Sequence, residues 1–326
     1  MNADDVINTD PTMPTPSSAP DLPLDQAPAL VYSGTIGDIL ISTGRISAND
    51  LVQILERQKK DKVSFGEAAM ALKLLTREDI DFALSKQFDY AYLSTQDASL
   101  SPQLVAAYKP FSRIGENLRA VRSQLMLRWF NTDPSHKMLA VVSPGQGEGR
   151  SFVAANLAIV FAQHGERTLL IDADMRANAD NGQQALFHLG RGAGLSTLLA
   201  GRAGLDLARP VPGLPGLAVL PAGAMPPNPQ ELLGRVNFAK LLMAAAVEYN
   251  VILIDTPAGG TYADAEIVAS RAGAALIVAR KNISLVPGAT QLARRLQDSG
   301  VALVGSVLND AYSPFAYFHH QFLRLW

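Results

Sequence analysis

The chain contains no cysteine among its 326 residues, so neither disulfide bonds nor thiol chemistry can take part in its function. It also lacks a strong charge of either sign. A formal net charge of −2 excludes a general electrostatic attraction to nucleic acid or to anionic lipid. Its apolar runs are short, and none approaches the roughly 18 residues of a membrane-spanning helix. The first 20 residues have no apolar core, so no signal peptide is expected. These absences predict a cytoplasmic protein with no nucleic-acid partner.

Changes in composition divide the chain into four segments. Residues 1–30 are rich in proline, aspartate, serine and threonine, which predicts a disordered leader. Residues 31–95 carry helical patterns and an internal repeat, and residues 96–111 read as a linker. Residues 112–326 form the largest segment and end in an aromatic tail. With 48% hydrophobic and 18% charged residues, the chain as a whole has the composition of an ordinary folded protein.

The repeat aligns IGDILISTGRISANDLVQILERQ with FGEAAMALKLLTREDIDFALSKQ at a constant offset. Gly37 pairs with Gly66, an offset of 29 (66 − 37), and Ser47 pairs with Thr76 at the same offset. Each unit predicts a short helix, a tight turn and a longer helix, with Ser47 and Thr76 as the N-caps of the longer helices. Two such units can bury their apolar faces on each other, which predicts a small all-α domain.

Beyond Lys137 the pattern changes to short apolar runs that alternate with helical segments. The runs are MLAVVS, TLLIDA, LAVLPA, VILIDT, ALIVAR and ALVGSVLN. Such alternation predicts an α/β domain with a mostly parallel sheet covered on both faces. One helix start is explicit in NPQELL, where Asn228 can cap, Pro229 suits the first position and Glu231 completes a capping box.

The stretch SPGQGEGRSF, residues 143–152, has the composition of a phosphate-binding loop between a strand and a helix. Its glycines allow backbone N–H groups to approach phosphate oxygens. Arg150 supplies a cation where most such loops carry lysine, and Ser151 supplies a hydroxyl for magnesium. A plain glycine turn between strand and helix is the alternative reading of this stretch alone.

Three aspartates follow two of the predicted strands. Asp172 and Asp174 end TLLIDADMR, and Asp255 ends VILIDTPAG. In a parallel sheet these strands finish at the edge where the phosphate loop lies. The arrangement indicates Mg²⁺-nucleotide chemistry, and the alternative is that the aspartates cap the following helices.

SPGQGEGRS, LLIDADMR and ILIDTP resemble the three Walker-type motifs of the bacterial tyrosine kinases of exopolysaccharide chain-length systems, a P-loop NTPase family. AGAMPPNPQELL and the VLN that ends at Asn309 also match that family. The resemblance implies that Ser151, Asp172 and Asp255 hold Mg²⁺ and that Asp172, Asp174 and Asp255 form the catalytic set. It implies an ATP site at Gly145, Gln146, Gly147, Glu148, Gly149, Arg150, Ser151, Phe152 and Asn309.

Four features depart from the family pattern. Arg150 replaces lysine, Pro257-Ala258 stands where the family has two prolines, and the proline usual after DADxR is missing. The tail holds two tyrosines, Tyr312 and Tyr317, where family tails carry a denser cluster. The arginine fork can hold two phosphate oxygens at once, so we expect tight nucleotide binding with slow turnover.

Two surface features admit two readings each. Glu116, Arg119 and Arg122 resemble the family motif for self-association into rings, and the plain reading is a solvated charged helix face. Tyr312 and Tyr317 are candidate phosphoacceptors, or parts of an apolar docking strip. The neighbouring aromatic residues are Phe315, Phe318, Phe322 and Trp326.

The 29-residue repeat resembles the N-terminal domain of type II secretion and pilus ATPases, in which paired motifs of this kind can bind cyclic di-GMP. The arginine that usually opens each motif is Thr35 in the first unit and Ser64 in the second. Without those two charges a dianionic ligand loses its most obvious partners, so a protein-docking module is favoured over a cyclic di-GMP site.

The resemblance implies an ATP- and Mg²⁺-dependent protein-tyrosine autokinase that regulates exopolysaccharide polymerisation and export. A membrane chain-length determinant is the implied partner, and it would hold the protein at the inner membrane. One alternative is an ATP-binding switch or pseudokinase that transfers no phosphate, as Arg150 and the sparse tail suggest. The other is a positioning ATPase of the partition or Min type, but such loops carry an early second lysine that Pro144-Gly145 does not supply.

Overall fold

The computed structural model describes residues 34–88, 90–94, 97–177 and 181–310, together with the backbone of 324–325. Within these ranges, none of the helices combines the length and the hydropathy needed to cross a lipid bilayer. The predicted leader, 1–30, and the aromatic tail with Tyr312 and Tyr317 lie outside the described side chains.

The N-terminal segment consists of two helix-turn-helix units, as the repeat predicts. The first contains α1 (Ile36–Ser42) and α2 (Ala48–Asp61), and the second contains α3 (Phe65–Ala71) and α4 (Arg77–Gln87). Corresponding helices begin 29 residues apart, the offset seen in the sequence. Each helix opens with a complete capping box, whose N-caps are Thr35, Ser47, Ser64 and Thr76. The structure therefore confirms Ser47 and Thr76 as caps and adds Thr35 and Ser64.

The two repeat glycines have the same packing role. A Cβ on Gly37 would lie 2.7 Å from Leu51 Cδ1, and one on Gly66 would lie 3.1 Å from Ile80 Cδ1. Leu51 and Ile80 are themselves a repeat pair, so each unit places its short helix directly against an aliphatic side chain of its long helix. The units share one apolar core, in which Ile39 and Ile54 are fully buried.

The segment expected to be a linker, 96–111, is packed against the α/β domain over its described part. Leu104 and Tyr108, which flank and end α5 (Val105–Tyr108), are buried in the same core as the sheet. The Gln163 amide donates to the carbonyls of Ala91 at 2.8 Å and Ala106 at 2.9 Å. The sequence predicts a linker here, but the small and apolar residues of this stretch pack against the α/β domain as a buried segment, which we call the strap.

The following helix, α6 (Arg113–Leu125), continues into a π-helical turn, Met126–Phe130. Both arginines of the predicted association stripe contact their own chain. Arg119 donates to Pro110 O at 2.7 Å and pairs with Glu116, and Arg122 donates to Val160 O at 3.1 Å. Glu116 is the member that faces solvent, with 70% of its side chain exposed.

The α/β domain is built on one eight-stranded sheet, whose strands in chain order are β1 Met138–Val142, β2 Thr168–Asp172, β3 Arg209–Pro210, β4 Leu217–Leu220, β5 Val251–Asp255, β6 Ala274–Arg280, β7 Ala302–Asn309 and β8 Arg324–Leu325. Their order across the sheet is β3-β4-β2-β5-β1-β6-β7-β8. All six apolar runs form strands, and these six pair in parallel. Short antiparallel strands, β3 and β8, border the sheet.

Helices cover both faces of the sheet, as predicted, and one apolar core lies on each face between sheet and helices. Phe161 is fully buried in one core and Phe238 in the other. Asn228 precedes α10 but makes no side-chain cap, so the predicted capping box with Glu231 is absent. The bounds are α7 Arg150–Ala162, α8 Gly182–Leu186, α9 Leu195–Leu199, α10 Pro229–Gly234, α11 Val236–Glu248, α12 Asp264–Ala272 and α13 Val286–Asp298, with a 3₁₀ turn at Leu205–Leu207.

Candidate nucleotide site

The phosphate loop connects the central strand β1 to α7. Gly147 and Gly149 have φ angles of 70° and 93°, a left-handed conformation that favours glycine. A Cβ at Gly149 would also lie 2.0 Å from Asn309 Nδ2. Gly149 is the N-cap of α7 and has no side chain to occupy the first amides of the helix. The loop thus has the backbone geometry that lets helix N-terminal amides meet an anion.

Glu148 and Asn309, both predicted to contact nucleotide, bind the loop itself. The Glu148 carboxylate accepts from Gly145 N at 2.7 Å and from the Ser284 hydroxyl. Asn309, at the end of β7, donates from Nδ2 to Glu148 O at 3.1 Å. Both side chains are buried. Their visible contribution is to fix the loop between β1 and the β6–α13 connection.

Arg150 acts as a brace for the loop, since its guanidinium holds the loop in place by hydrogen bonds. Its Nε donates to Thr256 O at 2.8 Å, and its Nη1 donates to Gly145 O at 2.7 Å and to the Ser143 hydroxyl. The residue is only 8% exposed. Two of its three nitrogens therefore bind acceptors of the protein, and the expected contact of the guanidinium with phosphate stays a prediction. Because Thr256 follows Asp255, the brace joins the phosphate loop to the aspartate strand.

The remaining predicted loop residues divide between the surface and the core. Gln146 is exposed at the tip of the loop. Phe152 packs against the apolar core on the α7 face, and its carbonyl accepts from Asn156 Nδ2 at 2.9 Å. Ser151 lies at the first turn of α7, where its side chain acts to lower the pKa of Asp255.

Asp172 and Asp255 lie side by side because β2 and β5 pair in parallel with these two residues in register. Asp172 accepts hydrogen bonds at 3.1 Å from the backbone N–H groups of Asp174 and Gln183. Asp255 accepts from Gln183 Nε2 at 2.8 Å. Both carboxylates are buried, whereas Asp174 is partly exposed at the rim. The three aspartates predicted from the strand ends therefore lie together at one sheet edge, beside the loop.

Burial dominates the electrostatics of this cluster. Loss of hydration raises the pKa of Asp172 well above its usual value, and the charges of Asp255 and Asp174 add to the increase. Burial raises the pKa of Asp255 to about 6, against the opposing effects of Arg150, Ser151 and Gln183. The pKa of Asp174 is raised as well, chiefly by burial. Such a site favours a cation, since positive charge would offset the cost of ionising two adjacent buried carboxyls.

The donor set fits Mg²⁺. Asp255 Oδ1 and Gln183 Oε1 are both buried and have no hydrogen-bond partner among the described residues. An unpaired buried acceptor costs about 1–3 kcal/mol, so two adjacent ones indicate a ligand that accepts electron pairs or donates protons. In the described ranges, no group of three or more His, Cys, Asp or Glu side chains is arranged to hold a metal ion. Mg²⁺ is commonly held by one or two carboxylates, waters and phosphate oxygens, and Ser151, Asp172 and Asp255 would hold it here.

Sequence reasoning missed several residues of the site. Gln183 contacts both buried aspartates, and no motif in the sequence singles it out. Arg176 forms a two-point ion pair with Asp264, at 2.6 and 3.2 Å, and its guanidinium lies 4.2 Å from the Tyr262 ring centre. This pair connects the Asp174 turn to the start of α12. Arg176 belongs to the quoted LLIDADMR motif, so its charge was the signal that could have prompted a search for a carboxylate partner.

Comparisons with known proteins identify the family of the chain. The model of the CobQ/CobB/MinD/ParA nucleotide binding domain matches residues 139–314. CapB of Staphylococcus aureus, whose name marks it as a candidate tyrosine-protein kinase, is 32% identical over 70% of this chain and all of its own length. Tyrosine-protein kinase Wzc of Salmonella typhimurium is 32% identical over 68% of this chain, but this chain spans only 31% of Wzc.

Solved structures give the same result. The kinase domain of the Escherichia coli tyrosine kinase ETK has a TM-score of 0.61 and 29% identity, over 71% of this chain and 90% of that domain. The chimerical protein CapA2B2 has a TM-score of 0.59 and 30% identity, over 69% of this chain and 96% of its own. The chain therefore belongs to the CobQ/CobB/MinD/ParA nucleotide-binding family and, within it, to the bacterial tyrosine-protein kinases.

Proposed function

We propose that this chain is an ATP- and Mg²⁺-dependent protein-tyrosine kinase that regulates exopolysaccharide polymerisation, export and chain length. The observation that carries the proposal is the in-register pair Asp172 and Asp255, buried beside a glycine-rich phosphate loop and next to acceptor atoms that have no partner among the described residues. The tyrosine-kinase names of CapB, Wzc and ETK support the same reaction class.

The residues have separable roles in this reaction. The amides of the loop and of the first turn of α7 bind the phosphates of ATP. Ser151, Asp172 and Asp255 hold Mg²⁺, which when bound neutralises charge on the phosphate oxygens. The tyrosine oxygen bonds to the γ-phosphorus as the bond to the ADP oxygen breaks. Asp174 receives the tyrosine proton, because it is the most exposed of the three carboxyls and its pKa is raised by burial.

The substrates and the partner belong to the same proposal. Tyr312 and Tyr317 are the proposed autophosphorylation sites, although an apolar docking role for this aromatic segment remains the competing hypothesis. Self-association through the Glu116 face would bring one copy's tail to another copy's site. A membrane chain-length protein is the proposed partner, and it would place the chain at the inner membrane from the cytoplasmic side.

The helical repeat is proposed to be a protein-docking module. Thr35 and Ser64, which replace the arginines expected of a cyclic di-GMP motif, are used as helix N-caps. Arg45 of the first unit is paired with Asp79 and lies 4.1 Å from the Phe82 ring centre, so its charge is already engaged. These contacts favour a protein over a dianionic nucleotide as the ligand.

An ATP-binding switch without phosphotransfer is the second candidate function. Arg150 favours it, because a guanidinium held by Thr256, Gly145 and Ser143 is less free to follow a moving phosphoryl group than the usual lysine.

Phosphotransfer by the purified chain separates the two candidates. The protein is incubated with Mg-ATP, and phosphotyrosine is mapped by mass spectrometry on the chain and on an added tyrosine-rich polypeptide. If the chain is a kinase, the parent protein should carry phosphate on Tyr312 or Tyr317, and the Asp174→Asn variant should carry none. The double variant Tyr312→Phe with Tyr317→Phe should still phosphorylate the added polypeptide. ATP binding without phosphotyrosine on either substrate would contradict the kinase proposal and support the switch.

A further inference from the structure

Gln183 occupies a central position between the two buried aspartates. Its backbone N–H donates to Asp172 Oδ2 at 3.1 Å, and its side-chain Nε2 donates to Asp255 Oδ2 at 2.8 Å. The same Nε2 donates to Ser151 O at 3.1 Å. One residue therefore contacts all three residues proposed to hold Mg²⁺. Its side chain is fully buried, so these contacts are shielded from water.

The backbone around Gln183 is shaped for this approach. Gly182 has a φ of 74°, in the left-handed region, and a Cβ there would lie 3.2 Å from Asp172 Oδ2. A glycine at this position lets the chain turn directly over the carboxylate, which brings the next N–H into hydrogen-bond range.

The hydrogen bonds that Gln183 donates determine the orientation of its side-chain amide. Because Nε2 is used on Asp255 and Ser151, the other amide atom, Oε1, is the acceptor. That oxygen is buried and unpaired among the described residues, and so is the neighbouring Asp255 Oδ1. Two unpaired acceptors on adjacent side chains are complementary to a hydrated cation.

We infer that Gln183 is a further residue of the Mg²⁺ site: it positions Asp172 and Asp255 through its N–H groups and offers Oε1 to the cation or to one of its waters. This inference rests on the proposed nucleotide function. Residues that orient metal ligands affect metal affinity by about 10–100-fold when they are replaced. The inference adds a neutral amide to the carboxylates and the hydroxyl that were proposed from the sequence.

Gln184 provides a matched control on the same helix. It is also buried, but its Nε2 donates to Gly190 O, and none of its hydrogen bonds reaches the aspartates. Gln183→Met and Gln184→Met each replace an amide by a thioether of similar length. Only the first removes polar atoms from the candidate metal site.

The test measures Mn²⁺ binding to the full chain in the presence of ADP by electron paramagnetic resonance. Isothermal titration calorimetry in excess EDTA measures the affinity for metal-free ADP. Gln183→Met should weaken Mn²⁺ binding about tenfold or more while metal-free ADP affinity stays within about twofold, and Gln184→Met should match the parent protein. Equal Mn²⁺ affinity in the two variants would overturn the inference and leave the proposed function intact. Failure of the parent protein to bind Mn²⁺ and ADP would instead overturn the proposed function.

Gln183→Glu serves if Gln183→Met does not fold. A third buried carboxylate should lower the melting temperature of the metal-free protein, and Mn²⁺ with ADP should then raise it by more than it raises that of the parent. If Gln183 has only a structural role, Gln183→Glu should lower the melting temperature of the metal-free protein, but Mn²⁺ with ADP should raise it no more than in the parent. That result would overturn the inference.

Discussion

The guanidinium of Arg150 joins the phosphate loop to the residue that follows Asp255, through bonds to Ser143, Gly145 and Thr256. Lysine has one nitrogen at the end of a flexible chain and cannot make this planar set of contacts. At this position arginine therefore gives the loop rigidity, whereas the usual lysine gives mobile positive charge. The residue that departs from the family pattern is best understood as a brace.

Replacing Arg150 tests this role. Arg150→Ala removes the donor to Thr256 O, whereas Gly145 O keeps its hydrogen bond from the Ser143 hydroxyl, so we expect a loss of about 1–3 kcal/mol in the free energy of unfolding, measured in urea, together with weaker ADP binding. Arg150→Lys should lose less stability and raise the rate of phosphorylation or hydrolysis. An Arg150→Ala protein as stable as its parent, with the same ADP affinity, would show that the loop does not depend on this side chain.

Asp255 gives a pH dependence with a definite sign. Its pKa rises from 3.8 in the unfolded chain to about 6 in the folded one, because the site is buried. The folded state then holds the proton more tightly, so metal-free stability should decrease as pH rises from about 4 to about 6, by on the order of 3 kcal/mol. Urea unfolding in EDTA should show this decrease in stability with pH, and the decrease should be smaller in the Asp255→Asn variant. The same pH slope in both proteins would contradict the assignment.

Among the elements, the helical repeat depends on its caps. Each of its four helices begins with a side chain that accepts from the third residue of the helix, whose carboxylate returns to the cap. Short helices such as α1 and α3 have little intrinsic stability, so they depend on the shared core for stability and on these caps for a defined first residue.

Thr76, the cap of α4, is the position to change. Thr76→Ala should destabilise the repeat by about 1 kcal/mol, since it removes the acceptor for Asp79 N, whereas Thr76→Ser retains that acceptor and should cost little. Thermal unfolding followed by circular dichroism at helical wavelengths measures both. Equal melting of the alanine and serine variants would mean that the cap is dispensable.

Elements with a strong local signal were predictable from the sequence. The six buried strands and the caps Ser47 and Thr76 follow from apolar runs and from hydroxyl residues at helix starts. The aspartates at the strand ends were predictable too, because parallel strands bring their carboxyl ends to one edge.

The missed features depend on long-range contacts. Gln183 reaches Asp255 across 72 residues of sequence, and Arg176 reaches Asp264 across 88. The packing of residues 97–111 on α7 depends on Gln163 and Asn156, whose amides bind the backbone of that strap. A single sequence has no local pattern that reports such pairings.

For the molecule as a whole, the Glu116 face is the predicted self-association surface. The arginines of the stripe contact Pro110 and Val160 within the chain, so replacing them would also disturb the fold. Glu116→Ala is the cleaner change, since this side chain is largely exposed. We expect it to lower the mass measured by light scattering without changing the melting temperature, and Arg119→Ala with Arg122→Ala to lower both. An unchanged mass in all variants would identify the stripe as a solvated face with internal braces.

The central claim is that the phosphate loop, Ser151 and the pair Asp172 and Asp255 form one Mg²⁺-nucleotide site. Isothermal titration of the full chain with ADP and ATP, with Mg²⁺ and in EDTA, tests it most directly. The account predicts binding with Mg²⁺ that weakens at least tenfold in EDTA, and an Asp255→Asn protein that folds but loses most of the difference. A folded parent protein that gives no heat with either nucleotide would contradict the account.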